Sequence, residues 1–219
     1  MEDPCMNQDV LDGIAFVGNT LGPMFLYDPK FNAEHVAPVL QAFAELDAGA
    51  AAEDWPFVEA YTAAAFISQM QKGLAEGIDA EPLYSEYRRL FVGPATKVAP
   101  PWGSVYTDKE QVIFGDTTIA LRRWMKREGL VLNRGDSEEP EDHIGSMLVL
   151  MAYIASHRPE ILREYLSEHL LTWAGHFMVV VQKESQHPFY EGLARLTGAT
   201  LAGMQKELDL HVDVPNFYR

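Results

Sequence analysis

The sequence predicts an all-α fold, organised as a single-domain helical bundle over residues 1–219. No alternation of apolar and polar residues typical of a strand continues beyond about four residues. A 47% hydrophobic and 22% charged composition over 219 residues is enough for a sizeable core. Apolar residues instead recur with helical spacing, most clearly over residues 36–46, 83–91, 144–155 and 189–208.

Four further helices, the last of them broken in two, are expected near residues 9–22, 55–76, 117–128 and 160–184. Proline is tolerated in a first helical turn because its missing N–H has no helical partner there. On this ground four prolines are expected to mark helix starts: Pro56, Pro82, Pro140 and Pro188. Glu141 and Asp142 follow Pro140, where carboxylates interact favourably with the helix dipole.

A long proline-rich and aromatic loop, from about residue 92 to 116, interrupts the helical pattern. It contains three prolines and three glycines up to Gly115, and Pro100-Pro101 exclude a continuous helix. Connections this long are uncommon in a compact domain unless they are functional or disordered. Apolar side chains such as Trp102 and Tyr106 argue against disorder, so we expect a packed functional loop. The alternative is a structural plug over the core.

Charge and cysteine content exclude several classes of function. The net charge of −15 disfavours binding to nucleic acids and anionic membranes, and it favours cationic partners. Because Cys5 is the one cysteine, neither an intramolecular disulfide nor a cysteine metal cluster is expected. The first residues do not resemble a signal peptide, and no apolar run is long enough to span a bilayer. We therefore expect a cytoplasmic protein without stable membrane insertion.

The densest set of reactive side chains lies at residues 136–143 and ends in Asp142 and His143. Acid/base or metal chemistry at Glu141, Asp142 and His143 is one interpretation, but adjacent helical residues diverge by about 100°. The sequence contains no HExxH, CxxC, phosphate-loop or GxSxG motif, and no cofactor is expected. Three interpretations stay open: a binding module, a hydrolase that uses these three residues, and an assembly subunit that binds folded partners through an acidic face.

Four motifs follow one another along the chain: EYRRLFVGP at 86–94, PPWGSVY at 100–106, FGD at 114–116 and EPEDH at 139–143. Together with HPFY at 187–190, they resemble the TorD/DmsD family of redox-enzyme maturation chaperones, and within it the DmsD branch. The resemblance extends from about residue 84 to the end and is weaker before that. It implies an all-helical fold and no enzymatic activity.

The resemblance also implies a partner, the twin-arginine signal peptide of a molybdoenzyme catalytic subunit of the dimethyl sulfoxide reductase type. Binding of this leader would delay export until cofactor insertion and folding, and components of the twin-arginine translocase are further candidate partners. The family's leader-binding positions correspond here to Leu90, Phe91, Trp102, Tyr106, Gly115, Asp142 and His143. Carboxylates of Glu139, Glu141 and Asp142 would suit the leader's arginines, and the aromatic side chains its apolar centre.

The position of each residue suggests its part in binding. Trp102 and Tyr106 lie outside the helical stripes and are expected to contact the leader, so Trp102→Ala should weaken binding with little loss of stability. Leu90 and Phe91 have helical spacing, which is more typical of core residues. In a first helical turn Asp142 should be ionised and His143 neutral, because the helix dipole disfavours an imidazolium there.

Overall fold

The structure, a computed structural model, describes residues 6–93, 97–131 and 139–219. These residues form eleven α-helices and no named strand, so the predicted all-α fold is confirmed. The first five are α1 (Gln8–Leu26), α2 (Ala33–Glu45), α3 (Ala48–Glu53), α4 (Ala60–Leu74) and α5 (Glu81–Tyr87). The others are α6 (Ser104–Thr107), α7 (Asp116–Glu128), α8 (Ile144–His157), α9 (Leu162–Tyr165), α10 (Ala174–Glu184) and α11 (Pro188–Glu207). Cys5, Pro94 and the acidic cluster's Asp136 to Glu138 lie outside the described residues.

Most helices lie where the apolar periodicity predicts them. The stripes at residues 36–46, 144–155 and 189–208 fall in α2, α8 and α11. The expected break within residues 160–184 is confirmed, because α9 and a π-helical turn, Leu166–Leu170, precede α10. Pro82 and Pro188 lie in the first turns of α5 and α11, as expected.

Two of the expected helix starts are wrong. Helix α4 begins at Ala60 rather than Pro56, since Phe57 has a left-handed φ of 66° that a helix cannot contain. Helix α8 begins at Ile144 rather than Pro140, and His143 is its N-cap. Asp142 therefore precedes the helix, and the expected position of Asp142 in a first helical turn is also wrong.

Two helix pairs organise the core, α1 against α8 and α4 against α11, and α10 packs on α11. The first pair approaches closely because Gly18 has no side chain: a Cβ there would lie 2.3 Å from the carbonyl oxygen of Leu148. Buried apolar residues from α1 to α11 form one contiguous cluster. The single domain over residues 1–219 stays a prediction. Within the described ranges no helix has the length and apolarity needed to cross a bilayer.

Within the segment 92–116, residues 99–106 pack tightly and include the one-turn helix α6, whereas Val112, Ile113 and Phe114 are 42–47% exposed. Tyr106 is fully buried, and Val105 is nearly so. A Cβ on Gly103 would lie 2.6 Å from the indole ring of Trp173, so only glycine lets the loop approach that ring. This packing brings the loop against residues 139–143, where the candidate site lies.

Candidate functional site

A groove of about 360 Å³ opens where the C-terminal ends of α1 and α5 meet the segments 97–102 and 139–143. Its lining is largely apolar and aromatic, with two carboxylates and one ammonium group: Leu26, Asp28, Phe31, Asn32, Tyr87, Phe91, Val92, Lys97, Pro101, Trp102, Glu139 and His143. The groove unites four of the predicted site residues, Phe91, Trp102, Glu139 and His143.

Phe91 forms part of the groove because α5 continues into a π-helical turn, Arg88–Val92. Such turns are rare and are frequently found at functional sites. The Phe91 ring packs edge-to-face on Tyr87 and Phe25, with centroids 5.3 and 6.0 Å away. Only 3% of Phe91 is exposed, so Phe91 is a core residue that also forms the floor of the groove.

The π-helical turn is held against the corner between α10 and α11 by a partly buried ion pair. Arg89 Nε donates to Glu86 Oε2 at 2.7 Å, and its Nη2 donates to the carbonyl of Glu184 at 2.5 Å. The backbone N–H of Gln186 donates to Glu86 Oε1 at 2.6 Å. Burial raises the pKa of Glu86, but these hydrogen bonds and the charge of Arg89 outweigh it and leave the pKa below its usual value.

Backbone pairing places Trp102 beside His143. The N–H of Gly103 donates to the carbonyl of Asp142 at 3.1 Å, and that of Ile144 donates to the carbonyl of Pro101 at 2.8 Å. The rings of Trp102 and His143 then meet edge-to-face, with centroids 6.2 Å apart. Two backbone hydrogen bonds thus join residues that lie about forty positions apart in sequence.

The Trp102 indole contacts a neighbouring carboxylate through its N–H and a neighbouring cation through its ring face. Its Nε1–H donates to Glu139 Oε2 at 2.9 Å, and the Lys97 ammonium lies 5.0 Å from the ring centroid. Trp102 is 6% exposed. Because of this burial we expect Trp102→Ala to destabilise the fold as well as to weaken binding, unlike the expectation from sequence.

His143 is a neutral donor in the wall of the groove. Its Nδ1 accepts a hydrogen bond from the N–H of Gly145 at 3.1 Å, so in the neutral ring Nε2 carries the proton. Burial lowers the pKa of His143 to about 4. The side chain is therefore neutral at neutral pH, as expected from the sequence, but the cause is desolvation rather than the helix dipole.

Asp142 joins three segments and does not line the groove. Its Oδ2 accepts from the N–H of Ser104 at 2.7 Å and from Thr117 Oγ1 at 3.3 Å, and its Oδ1 accepts from Thr118 Oγ1 at 2.8 Å. Burial raises the pKa of Asp142, and the hydrogen bonds from Ser104 and Thr118 oppose that rise. At 1% exposure, this carboxyl ties α6 and the start of α7 to residues 139–143.

The other predicted site residues also lie outside the lining of the groove. Leu90 and Tyr106 are fully buried. Gly115 is the N-cap of α7, and a Cβ there would lie 2.6 Å from Asp108 Oδ2. Glu141 accepts two hydrogen bonds from Arg122, at 2.9 and 2.7 Å. None of these four residues lines the groove.

Sequence reasoning missed several lining residues, among them Asp28, Phe31 and Lys97. Asp28 is 7% exposed, and its Oδ1 accepts from the N–H groups of Lys30 and Phe31 at 2.8 and 3.4 Å. Phe31 is 61% exposed, and the Arg88 guanidinium lies 4.9 Å from its ring centroid. The available signal was Asp28-Pro29 directly after an apolar helix, which is typical of a structured turn.

Known proteins match this chain over most of its length. A family model described as "Nitrate reductase delta subunit" matches residues 57–179. A Haemophilus influenzae protein named "Probable Tat proofreading chaperone DmsD" is 38% identical over 97% of this chain and 100% of its own length. The Salmonella typhimurium "Tat proofreading chaperone DmsD" is 37% identical over 95% of this chain and 97% of its own. This chain belongs to the TorD/DmsD family of redox-enzyme maturation chaperones.

A solved structure supports the TorD/DmsD fold. The crystal structure of an Archaeoglobus fulgidus protein, described as a redox enzyme maturation protein, superposes with a TM-score of 0.52 and covers 86% of this chain and 93% of that one. At 19% identity the likeness concerns the fold alone. The helical architecture is thus shared by a solved protein of distant sequence.

The TorD/DmsD relatives are named as chaperones, so the family is one of chaperones rather than enzymes. The hydrolase interpretation of Glu141, Asp142 and His143 gains nothing from the structure. Glu141 pairs with Arg122, Asp142 joins α6 to α7, and the Nδ1 of His143 caps α8. In the part of the chain that the structure describes, no group of three or more His, Cys, Asp or Glu side chains could hold a metal ion.

Proposed function

We propose that this protein is a cytoplasmic Tat proofreading chaperone that binds the twin-arginine signal peptide of a molybdoenzyme catalytic subunit of the dimethyl sulfoxide reductase type. Binding delays export until the cofactor is inserted and the subunit is folded. The observation that carries the proposal is the aromatic groove with Asp28 and Glu139 in its lining. The names of the close relatives support the same function.

The groove suits both parts of such a leader. Phe31, Phe91 and Trp102 offer apolar surface to its hydrophobic centre. A leader arginine can take the place of Lys97 over the Trp102 ring while it pairs with Glu139, because guanidinium stacks on aromatic faces and is more weakly hydrated than ammonium. The His143 Nε2–H is a donor for a peptide carbonyl.

The net negative charge of the protein as a whole speeds the encounter with the leader and is not a direct contact with it. A net charge of −15 attracts a cationic leader over distances near the Debye length, about 8 Å at physiological salt. We further propose that components of the twin-arginine translocase are partners, since the leader must pass from the chaperone to the translocase before export.

A synthetic twin-arginine leader is expected to bind with a Kd in the micromolar range or tighter, about −8 kcal/mol, in isothermal titration calorimetry. A matched leader with both arginines replaced by lysine should bind more weakly, because lysine lacks the fork that pairs with carboxylates. No heat at tens of micromolar leader would refute the assignment. Equal affinity for the precursor and for the mature subunit without its leader would favour an assembly subunit that binds folded partners.

Glu139→Gln is expected to weaken leader binding by about three- to tenfold, mainly through the association rate, and to flatten its salt dependence. Glu139 lines the groove and is exposed, so it acts as a rim charge. Glu110→Gln is the matched control, since Glu110 is also an exposed glutamate, in the segment 92–116, but does not line the groove. Stopped-flow binding at two salt concentrations measures both effects. Equal rates for the two variants would remove Glu139 from the site.

A further inference from the structure

The chain continues beyond α11 as a tail without regular secondary structure. The connector at residues 211–216 is mostly exposed; Val214, for example, is 65% exposed. The three residues that follow, Phe217 to Arg219, behave differently, because Phe217 packs against the core and each of the three has a specific contact. An exposed connector followed by residues with specific contacts is typical of an ordered strap.

The strap lies on α10 and on the loop around α6. The Phe217 ring stacks on His176 of α10, with centroids 4.0 Å apart and planes inclined by 8°. The backbone N–H of Tyr218 donates to the carbonyl of Tyr106 at 2.9 Å. The side-chain amide of Gln111 donates to the carbonyl of Tyr218, also at 2.9 Å. The strap therefore bridges a stable helix and the segment that carries the groove wall.

Arg219 extends the strap to the edge of the groove. Its Nη2 donates to the carbonyls of Lys97 and Val98, at 2.5 and 3.4 Å. The backbone oxygen of Arg219 lies 2.6 Å from His176 Nε2, so the residue is held at both ends. Lys97 in turn lines the groove and places its ammonium over Trp102.

The segment from Lys97 to Trp102 contains no helix, and its one β-bridge, between Trp102 and His143, lies at its far end from Lys97. On its inner side it depends on a few backbone hydrogen bonds, such as Ala99 N–H to the carbonyl of Leu90 at 2.9 Å. On its outer side the carbonyls of Lys97 and Val98 accept from Arg219. Loss of this outer support would let the Lys97 backbone move, and with it one wall of the groove.

We infer that Phe217, Tyr218 and Arg219 are positioning residues, which hold the loop at residues 97–106 in the geometry that binds the leader. The inference rests on the proposed function for its ligand, but the contacts that carry it do not depend on that ligand. A preformed wall reduces the ordering that binding requires, so the strap raises affinity without touching the leader.

The test uses the full-length chain with Phe217→Ala and with Arg219→Ala. Each variant is expected to bind the synthetic twin-arginine leader about tenfold more weakly, because the wall must be ordered on binding. Hydrogen exchange of the amides at residues 97–106 should become faster in the absence of leader, while exchange in α1 and α8 stays unchanged. Phe217→Tyr retains the stacking on His176 and should restore both readouts. Val214→Ala is the matched control in the exposed connector and should match the wild type.

The two readouts separate the failure of the strap from the failure of the proposed function. If the wild type binds no leader, the proposed function fails, but hydrogen exchange still tests the positioning role of the strap. Unchanged exchange at residues 97–106 in Phe217→Ala would overturn that role. Wild-type leader affinity in both variants would overturn it as well. Tighter binding would also overturn it, because the tail would then compete with the leader. A uniform rise in exchange across α1 and α8 would show a general loss of stability instead of local positioning.

Discussion

Asp142→Asn is expected to destabilise the protein by about 3 kcal/mol or more in urea unfolding. Both carboxyl oxygens of Asp142 accept hydrogen bonds, from Ser104 N–H, Thr117 and Thr118. An asparagine keeps the shape but replaces one carboxylate oxygen with an NH₂ group, which cannot accept, so either the Ser104 N–H or the Thr118 hydroxyl hydrogen loses its acceptor at a site that is 1% exposed. A buried group without a partner costs its full desolvation penalty, and α6 and α7 lose one of the two acceptor atoms that they share.

Asp213→Asn is the matched control for Asp142→Asn, because the Asp213 side chain is 99% exposed and the chemical change is the same. The control should unfold at the wild-type urea concentration. A similar midpoint for both variants would show that the Asp142 network does not hold the fold. The expected result assigns Asp142 to the fold, whereas the family resemblance in the sequence implies that Asp142 binds the leader.

The protein is expected to lose stability as the pH falls from about 6.5 to about 4, the window between the ordinary pKa of histidine and the pKa of His143. Burial lowers the pKa of both His143 and His169 to about 4. Below pH 6.5 the unfolded chain therefore takes up protons that the folded chain does not bind. For His143 the difference between the two pKa values corresponds to about 3 kcal/mol of folding stability, which is fully present above pH 6.5. The raised pKa of Asp142 acts in the opposite direction, because the folded chain then binds that proton more readily.

His143→Asn isolates the contribution of His143 to this pH dependence. Asparagine does not titrate, and its side-chain oxygen can accept from the Gly145 N–H as the His143 Nδ1 does. Thermal melting between pH 7 and pH 4 should show a shallower loss of stability in this variant. His211→Asn is the control, since the His211 side chain is 91% exposed. A pH profile of His143→Asn that overlays the wild type would contradict the assigned cause.

Local sequence patterns were sufficient to predict most of the helices. Apolar stripes with a period near 3.6 residues can be buried only by forming helices, and this requirement does not depend on the partner helix. The π-helical turn at Arg88–Val92 was not foreseen, because a single turn does not alter the stripe visibly. The predicted helix starts at Pro56 and Pro140 were wrong because they also rested on local sequence alone. Turn geometry at Phe57 and hydrogen bonds between residues 101–104 and residues 142–144 overrode a weak local preference.

The composition of the site was foreseen better than its arrangement. Phe91, Trp102, Glu139 and His143 line one groove, and their role in peptide binding stays a prediction. Asp28, from the end of α1, could not be assigned to it, since nothing in the sequence indicates which distant segment the 97–102 loop will contact. The acidic residues of the motif at 139–143 have different roles. Glu139 lines the groove, while Glu141 and Asp142 accept hydrogen bonds from side chains of α7.

The sequence by itself determined the helical class, the order of the helices, the acidic charge and the motifs of the TorD/DmsD family, because each of these depends on residue type and local spacing. Only the tertiary structure decided which motif residues line the groove and which support the fold. Burial, donor geometry and close packing depend on segments far apart in the chain. Asp142 and His143 are adjacent in sequence, yet one is enclosed by α6 and α7 and the other lines the groove.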